Sequence, residues 1–172
     1  ALLAALSTTD NLTVRLEVLL SLVNFSADQP GGRAIVKAGG LPQLSRQLIV
    51  AVSATGAEAQ CVPPLCAALR NLAVEPETCL RIAEARCVPP LLKVLPSKAV
   101  PWEARHDALL VLWQLSTSDA GVGMLLRHGA AHTLPGLLNA SLAGGRGTDE
   151  AGGSAGEAGG SEGGVAVGAS EW

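Results

Sequence analysis

Apolar residues recur along residues 1–142 at spacings of three and four, with polar residues between them. Residues spaced in this way share one face of an α-helix, so the pattern predicts amphipathic helices rather than strands. The opening residues ALLAALS are interpreted as the end of a further helix. The predicted helices are long ones over 11–26, 61–74 and 101–117, short ones over 31–38, 77–85 and 120–128, and others over 41–52, 88–95 and 131–142.

The predicted helix ends carry signals of their own. Asp10-Asn11 offers an N-cap before the first long helix, where a side chain accepts backbone N–H groups. Gly39 and Gly129 follow two of the short helices, where glycine readily adopts the left-handed conformation that closes a helix. Arg86 stands in the equivalent place after the third, so that turn is expected to be strained or closed differently. Pro135 falls several residues inside the last predicted helix, which should begin late or bend there.

Two sequence blocks recur with one spacing, which indicates an internal repeat. The first reads LEVLLSLVNFS, PPLCAALRNLA and DALLVLWQLST, and its amides Asn24, Asn71 and Gln114 lie 47 and 43 residues apart. The second reads AIVKAGGLPQL, RIAEARCVPPLL and MLLRHGAAHTLPGLL, with Pro42 and Pro89 again 47 apart. A period of roughly 40–47 residues is typical of arrays of stacked helices.

One apolar stripe along each long helix is predicted to form the core between neighbouring repeats. Because a single repeat cannot bury its own apolar face, each repeat must stack on the next. Each large side chain that becomes fully buried contributes roughly 1.5–3 kcal/mol before entropy is subtracted. The equivalent stripes are Leu19, Leu22 and Phe25; Cys66, Leu69 and Leu72; and Leu109, Leu112 and Leu115.

Composition narrows the kind of partner. Hydrophobic residues make up 48% of the chain and aromatic residues 2%, so the core must be built from Leu, Ala and Val, which favours helices. Residues 1–142 carry a net charge of +1, and residues 143–172 a net charge of −4. Because nucleic-acid binding usually demands a basic stripe, we expect no nucleic acid partner.

The four cysteines, Cys61, Cys66, Cys79 and Cys87, are expected to be reduced and partly buried. Their spacings contain no CxxC pair, and a disulfide framework is not expected at this length and hydrophobicity. Reduced cysteines favour an intracellular protein. We expect it in the cytoplasm, and a cytoskeletal, ciliary or nuclear location stays open as an alternative. The longest apolar runs fall far short of the roughly 20 residues that span a membrane, so no membrane partner is expected.

The residues capable of chemistry form no recognisable catalytic or metal site. His128 and His132 are four apart, but Gly129 should break the helix between them, and no HExxH motif occurs. The glycines of GGRAIVKAGG fit neither phosphate-binding motif. Cys87 with His106 or His128 is a conceivable nucleophile and base, yet nothing in the sequence places them together. We expect no catalysis, no cofactor, no metal and no small-molecule substrate.

The pattern xLxNLA…I…aGxxPxLxxLL resembles the armadillo repeat, most closely over ALRNLAVEPETCLRIAEARCVPPLLKVL. The resemblance covers about residues 2–142 and implies an all-α fold, a right-handed α-solenoid (superhelix) in which two shorter helices precede a long helix 3 in each repeat. It also suggests a fragment of a longer array, with apolar surface exposed at both ends. The implied divisions of residues 1–142 are a partial repeat (1–26), repeats over about 27–73 and 74–117, and a partial repeat (118–142).

In armadillo proteins, function resides in a groove lined by helix 3, where an amide pairs with the backbone of an extended peptide. The resemblance carries this role to Asn24 and Asn71, and more weakly to Gln114. These amides could equally cap or bridge helix backbones within the array, so both roles stay open. The other candidate groove residues are Glu17 and Leu20, Ala67, and Glu103, Asp107 and Leu110, with Trp102 at the groove edge.

The three carboxylates on these faces favour a protein or peptide partner that carries some basic residues. Nuclear-import adaptors of this fold carry Trp four residues before the amide, where this chain has Leu20, Ala67 and Leu110. A receptor for nuclear localisation signals is therefore not expected. Trp113, beside Gln114, is interpreted as a packing residue.

The resemblance favours a non-catalytic protein-interaction scaffold, of the kind found among adhesion, cytoskeletal and axonemal armadillo proteins. A substrate-recruiting region of a larger enzyme, as in ubiquitin ligases that join a U-box to armadillo repeats, is the main alternative. An RNA-reading helical repeat would need stacking aromatics and basic side chains along the inner helix, and these faces have neither.

Residues 143–172 are rich in Gly, Ala, Ser and Glu and nearly devoid of large apolar side chains. Such a segment buries too little surface to offset its ordering entropy, so it is predicted to be disordered. It is either a C-terminal tail or an inserted loop whose last residues, Val165–Trp172, lead back into the fold.

Overall fold

The computed structural model describes residues 1–145, and every regular element in that range is a helix. A short 3₁₀ helix (Gly56–Cys61) follows the fourth α-helix. None of the helices described has the length and apolar content needed to cross a membrane. The α-helices are α1 (Leu2–Thr8), α2 (Leu12–Ser26), α3 (Gln29–Lys37), α4 (Gly40–Ser53), α5 (Val62–Leu72), α6 (Pro76–Glu84), α7 (Val88–Val94), α8 (Trp102–Leu115), α9 (Asp119–Arg127) and α10 (Ala130–Gly145).

Each helix expected from the spacing of apolar residues is present, which confirms the all-helical prediction. The observed ends agree with the predicted ones to within two residues except at α10, which runs three residues beyond the predicted end at 142. Residues 143–145 are therefore helical, and the prediction of disorder from residue 143 onward is wrong for these three residues. The rest of that segment, 146–172, lies outside the described residues.

The three short helices end in the same left-handed turn. The backbone angle φ is 75° at Gly39, 63° at Arg86 and 84° at Gly129. Arg86 thus takes the conformation that suits glycine, and its Cβ imposes a steric cost there, as predicted for a strained turn. The expected late start of the last helix is wrong, because α10 begins at Ala130 and holds Pro135 in its interior.

Side-chain caps start three of the helices. Of the predicted capping pair Asp10-Asn11, Asn11 is the residue that caps α2, and its side chain accepts hydrogen bonds from two backbone N–H groups of the first turn. Asp28 caps α3 and Ser118 caps α9 in the same manner. These bonds satisfy backbone donors that have no partner inside the helix, so the chain enters each helix at a defined residue.

The long helices stack in chain order, since α5 packs on α2 and α8 packs on α5. Helices α4 and α7 pack against each other and against α5 and α8, respectively. Leucine, valine, alanine and cysteine side chains from these elements form one continuous core. Its largest fully buried side chains are Leu6, Leu19, Leu22, Leu44, Leu48, Leu65, Leu69, Ile82, Leu91, Leu115, Val62 and Val88.

Two members of the predicted core stripes, Phe25 and Leu109, are exposed to 50% and 48%. The equivalent Leu72 is buried and packs beside Gly32 of α3 in the same repeat, and no described helix stands in that relation to Phe25. The equivalent Cys66 is buried where α5 meets α8, whereas Leu109 lines an open groove beside α10. Periodicity identified the apolar positions of each helix, but burial depends on which other helix lies opposite.

Candidate functional site

The candidate residues of α2 lie on its solvent-facing side. Glu17, Leu20 and Asn24 are all exposed, and Leu20 leaves half of its surface in solvent. Ala67, the equivalent of Leu20 on α5, is half-buried. A partner could reach these positions without any rearrangement of the helices.

Asn71 bridges two of the stacked helices. Its side-chain nitrogen donates to the backbone carbonyl of Val23 and to Ser26 Oγ on α2, both at 3.1 Å. Its Oδ1 accepts from Nη2 of Arg70 at 2.9 Å. Both amide hydrogens of Asn71 are therefore used within the array. Of the two roles that the sequence left open, Asn71 has the one of bridging helices.

The amides of Asn24 and Gln114 are differently placed. Asn24 is exposed and Gln114 is half-buried. In the part of the chain that the structure describes, the hydrogen bonds of these two residues involve their backbone groups and not their side chains. Both side chains therefore retain donors and an acceptor for a partner's backbone.

The carboxylate of Asp107 points into the array. Asp107 is only 9% exposed, and its Oδ1 pairs with Nη1 of Arg70 at 3.1 Å. Its charge is therefore largely balanced inside the protein, and the predicted acidic face is reduced by one residue. Glu17 and Glu103 remain exposed, so the acidic character rests on them.

A hollow of about 250 Å³ lies between α5 and α8, and we call it the α5–α8 hollow. Two large apolar side chains open onto it, Val74 at 70% exposure and Trp113 at 60%. Trp113 is therefore not the packing residue that the sequence suggested, and Val74 was overlooked because it lies beyond the amide-bearing face. The hollow is lined by Arg70, Asn71, Ala73, Val74, Leu110, Trp113 and Gln114.

Trp102 belongs to a different cavity. It is the first residue of α8, is 61% exposed, and its ring lies 5.1 Å from that of His106. Both rings line an open groove of about 610 Å³ beside α10, together with Leu109 and Leu134. Trp102 is thus exposed, as expected, but it lines the groove beside α10 and not the α5–α8 hollow that holds Gln114.

The cysteines lie in the core, and two of the histidines lie at helix surfaces or ends. All four cysteines are free and buried, as predicted, and burial raises the pKa of the Cys87 thiol to about 12. A nucleophilic cysteine acts as a thiolate, which Cys87 does not form near neutral pH. The ring of His106 packs against that of Trp102 at a tilt of 50°, and His128 is the C-cap residue of α9. Among residues 1–145, no three His, Cys, Asp or Glu side chains are grouped to hold a metal.

Comparison with known proteins finds solved structures whose helical architecture is similar to that of this chain. No family model matches the chain, and no curated protein matches it significantly. It is similar to the crystal structure of an engineered protein from the Northeast Structural Genomics Consortium, with a TM-score of 0.66 and 25% identity over 87% of this chain and 55% of that one. A second engineered protein from the same consortium gives 0.66 and 26% over 87% of this chain and 33% of its own length. The chain thus spans about half and a third of these relatives, which share its helical architecture.

Proposed function

We propose that the chain is a stretch of right-handed α-solenoid built from armadillo repeats, and that it is a non-catalytic module that binds a segment of a partner protein. The helix order recurs with amide spacings of 47 and 43 residues, and α2, α5 and α8 stack in order. Both features are those expected of an array in which each repeat contacts only its neighbours. The same stacking aligns three long helices for a partner to cross.

The observation that carries the proposal is the α5–α8 hollow. Val74 and Trp113 leave most of their surface in solvent, although transfer of such surface out of water is favourable. Exposed aromatic side chains beside unused polar groups are typical of binding hot spots. Gln114 supplies the polar group here, so the hollow combines an apolar anchor site with an amide that can pair with a peptide backbone.

The groups exposed on α2, α5 and α8 indicate the conformation and the side chains that the partner segment should have. It should be extended, because it must cross successive helices, and it should carry one large apolar side chain for the α5–α8 hollow. The exposed carboxylates of Glu17 and Glu103 favour basic residues on either side of that anchor. Asn24 is placed to pair with the backbone of the same segment on α2.

The test is a selection of random peptides displayed on phage against the full chain, followed by affinity measurements on the selected sequences. We expect an apolar anchor flanked by lysine or arginine. Trp113→Ala should weaken binding about tenfold or more, because it removes the largest exposed side chain of the hollow. Gln114→Ala should weaken it about fivefold, as expected for loss of one hydrogen bond.

Leu126→Ala is the matched control, because Leu126 is also an exposed apolar residue (58%) but lies on α9. Its affinity for the selected peptides should equal that of the unsubstituted chain. Failure to select any peptide, or equal affinities for Trp113→Ala, Gln114→Ala and the control, would rule out the α5–α8 hollow as the binding site.

A further inference from the structure

A second apolar surface lies at the other side of α8. The α8–α10 groove, as we call it, has a volume of about 610 Å³ and is larger than the α5–α8 hollow. Trp102 and Leu109 leave 61% and 48% of their surface in solvent there. Leu134 and Leu137 of α10 form the opposite wall, and Leu95 also lines the groove.

The groove also carries a positive charge from Arg105. Both Arg105 and His106 line it beside the apolar side chains. The Nε atom of Arg105 is buried and has no hydrogen-bond partner among residues 1–145, and none of the ion pairs formed in that range includes Arg105. An occupant that offers a carboxylate next to large apolar side chains would therefore suit this groove.

The remainder of the chain contains one such stretch. Residues 146–172 have five carboxylates and one arginine, and their only large apolar side chains are Val165, Val167 and Trp172. All three lie in the last eight residues, and Glu171 stands beside Trp172. The segment Val165–Trp172 thus combines apolar side chains, which suit the apolar walls of the α8–α10 groove, with a carboxylate that suits Arg105.

The chain length permits this segment to reach the groove. Nineteen residues, 146–164, separate Gly145 from Val165, and a Gly-rich chain of that length has a root-mean-square span of roughly 25 Å. Leu134 lies eleven residues before Gly145 on α10, which corresponds to about 16 Å along a helix. The span of the connecting residues therefore matches the distance that the segment must cover.

We propose that Val165–Trp172 occupies the α8–α10 groove of its own chain, with Trp172 among the leucines and Glu171 beside Arg105. The inference is independent of the proposed partner segment, because the α8–α10 groove and the α5–α8 hollow have no lining residue in common. The connection makes the binding intramolecular, with an effective concentration of about 1 mM for a flexible linker. Even a segment with a Kd of about 0.1 mM would then be docked about nine-tenths of the time.

The proposal is tested by photo-crosslinking of the full chain at low concentration. Trp172 is replaced by p-benzoylphenylalanine, and the crosslinked peptides are identified by mass spectrometry after irradiation. We expect intramolecular crosslinks concentrated on the start of α8 and on Leu134 and Leu137. Leu109→Ser in the same background should lower the ratio of docked to undocked segment about fivefold, because it removes part of the apolar wall.

Ala155→p-benzoylphenylalanine provides the matched control, because it places the photoreactive group within the connecting residues. Its crosslinks should be spread along the surface and should not change with Leu109→Ser. Crosslinks between chains that increase with concentration would show that a second copy fills the groove instead. That result, or a Trp172 pattern no more concentrated than that of the control, would overturn the proposal.

Discussion

Arg86 adopts the left-handed turn that glycine forms after the other two short helices, and its side chain makes that conformation energetically unfavourable. Its φ of 63° lies in the region that glycine occupies at Gly39 and Gly129, and a side chain in that conformation costs about 1 kcal/mol or more. Arg86→Gly should therefore raise the free energy of unfolding by about 0.5–1 kcal/mol, after allowance for the greater flexibility of glycine in the unfolded chain. Urea titration provides the measurement.

Two further variants separate the backbone effect from loss of the arginine side chain. Arg86→Ala keeps the strained turn and should change stability little. Gly39→Ala introduces the strain elsewhere, since a Cβ at Gly39 meets no atom within 4 Å and only its φ of 75° opposes the substitution. A stabilisation by Arg86→Ala equal to that by Arg86→Gly would contradict the strain argument.

At the residue scale, the sequence located the three amide side chains but did not show whether each one bridges helices or faces a partner. Asn71 and Gln114 occupy equivalent places in the repeat, yet the Asn71 amide bridges to α2 and Gln114 lines the α5–α8 hollow. An amide can donate and accept in either role. The positions of the Val23 carbonyl, Ser26 Oγ and the Arg70 guanidinium decide between the two roles, and these positions depend on packing.

At the element scale, α10 contains the clearest local conflict. Pro135 is inside the helix, where its ring removes one backbone hydrogen bond and crowds the carbonyl of Ala131. Pro135→Ala should stabilise α10 by up to about 3 kcal/mol. Amide hydrogen exchange in α10 should slow accordingly, and helical circular dichroism should persist to a higher temperature.

Pro42→Ala is the matched control for this change. Pro42 is the third residue of α4, where its missing N–H would have had no partner within the helix. Its substitution should leave amide exchange in α4 almost unchanged. If Pro42→Ala and Pro135→Ala had equal effects, the position of the proline within the helix would not be the cause.

The helices themselves were predictable because their signals are local. Apolar spacing and the Asn11 cap lie within a few residues of the elements that they determine, and the observed ends follow them closely. Exposure of Phe25 and Leu109 was not predictable in the same way, because it depends on which distant helix lies opposite. The α5–α8 hollow was missed for the same reason, since Val74 and Trp113 meet only when α5 and α8 pack.

At the scale of the whole molecule, the buried thiols link stability to pH. Burial raises the pKa of Cys66 and of Cys87 from 9.0 to about 12, so each keeps its proton in the folded chain after it is lost in the unfolded one. Each thiol thus contributes stability that is complete below pH 9 and lost between about pH 9 and 12. The expected loss is about 1.4 kcal/mol per pH unit for each thiol.

The free energy of unfolding, measured in urea at several pH values above 9, tests this linkage. Cys66→Ala combined with Cys87→Ala will lower stability at pH 8 because it removes core volume. Its decline above pH 9 should nevertheless be shallower, by about 2.7 kcal/mol per pH unit. Parallel declines for the two proteins would mean that these thiols titrate alike in the folded and unfolded states.

The bridge at Asn71 continues beyond α2 and α5, because Arg70 contacts both Asn71 and Asp107. Ser26, Asn71, Arg70 and Asp107 therefore form one polar chain across three stacked helices. Such a chain fixes the interval between equivalent surface positions on α2, α5 and α8. A bound segment would have to present its side chains at that same interval, so the polar chain would set the register in which a partner sequence is read.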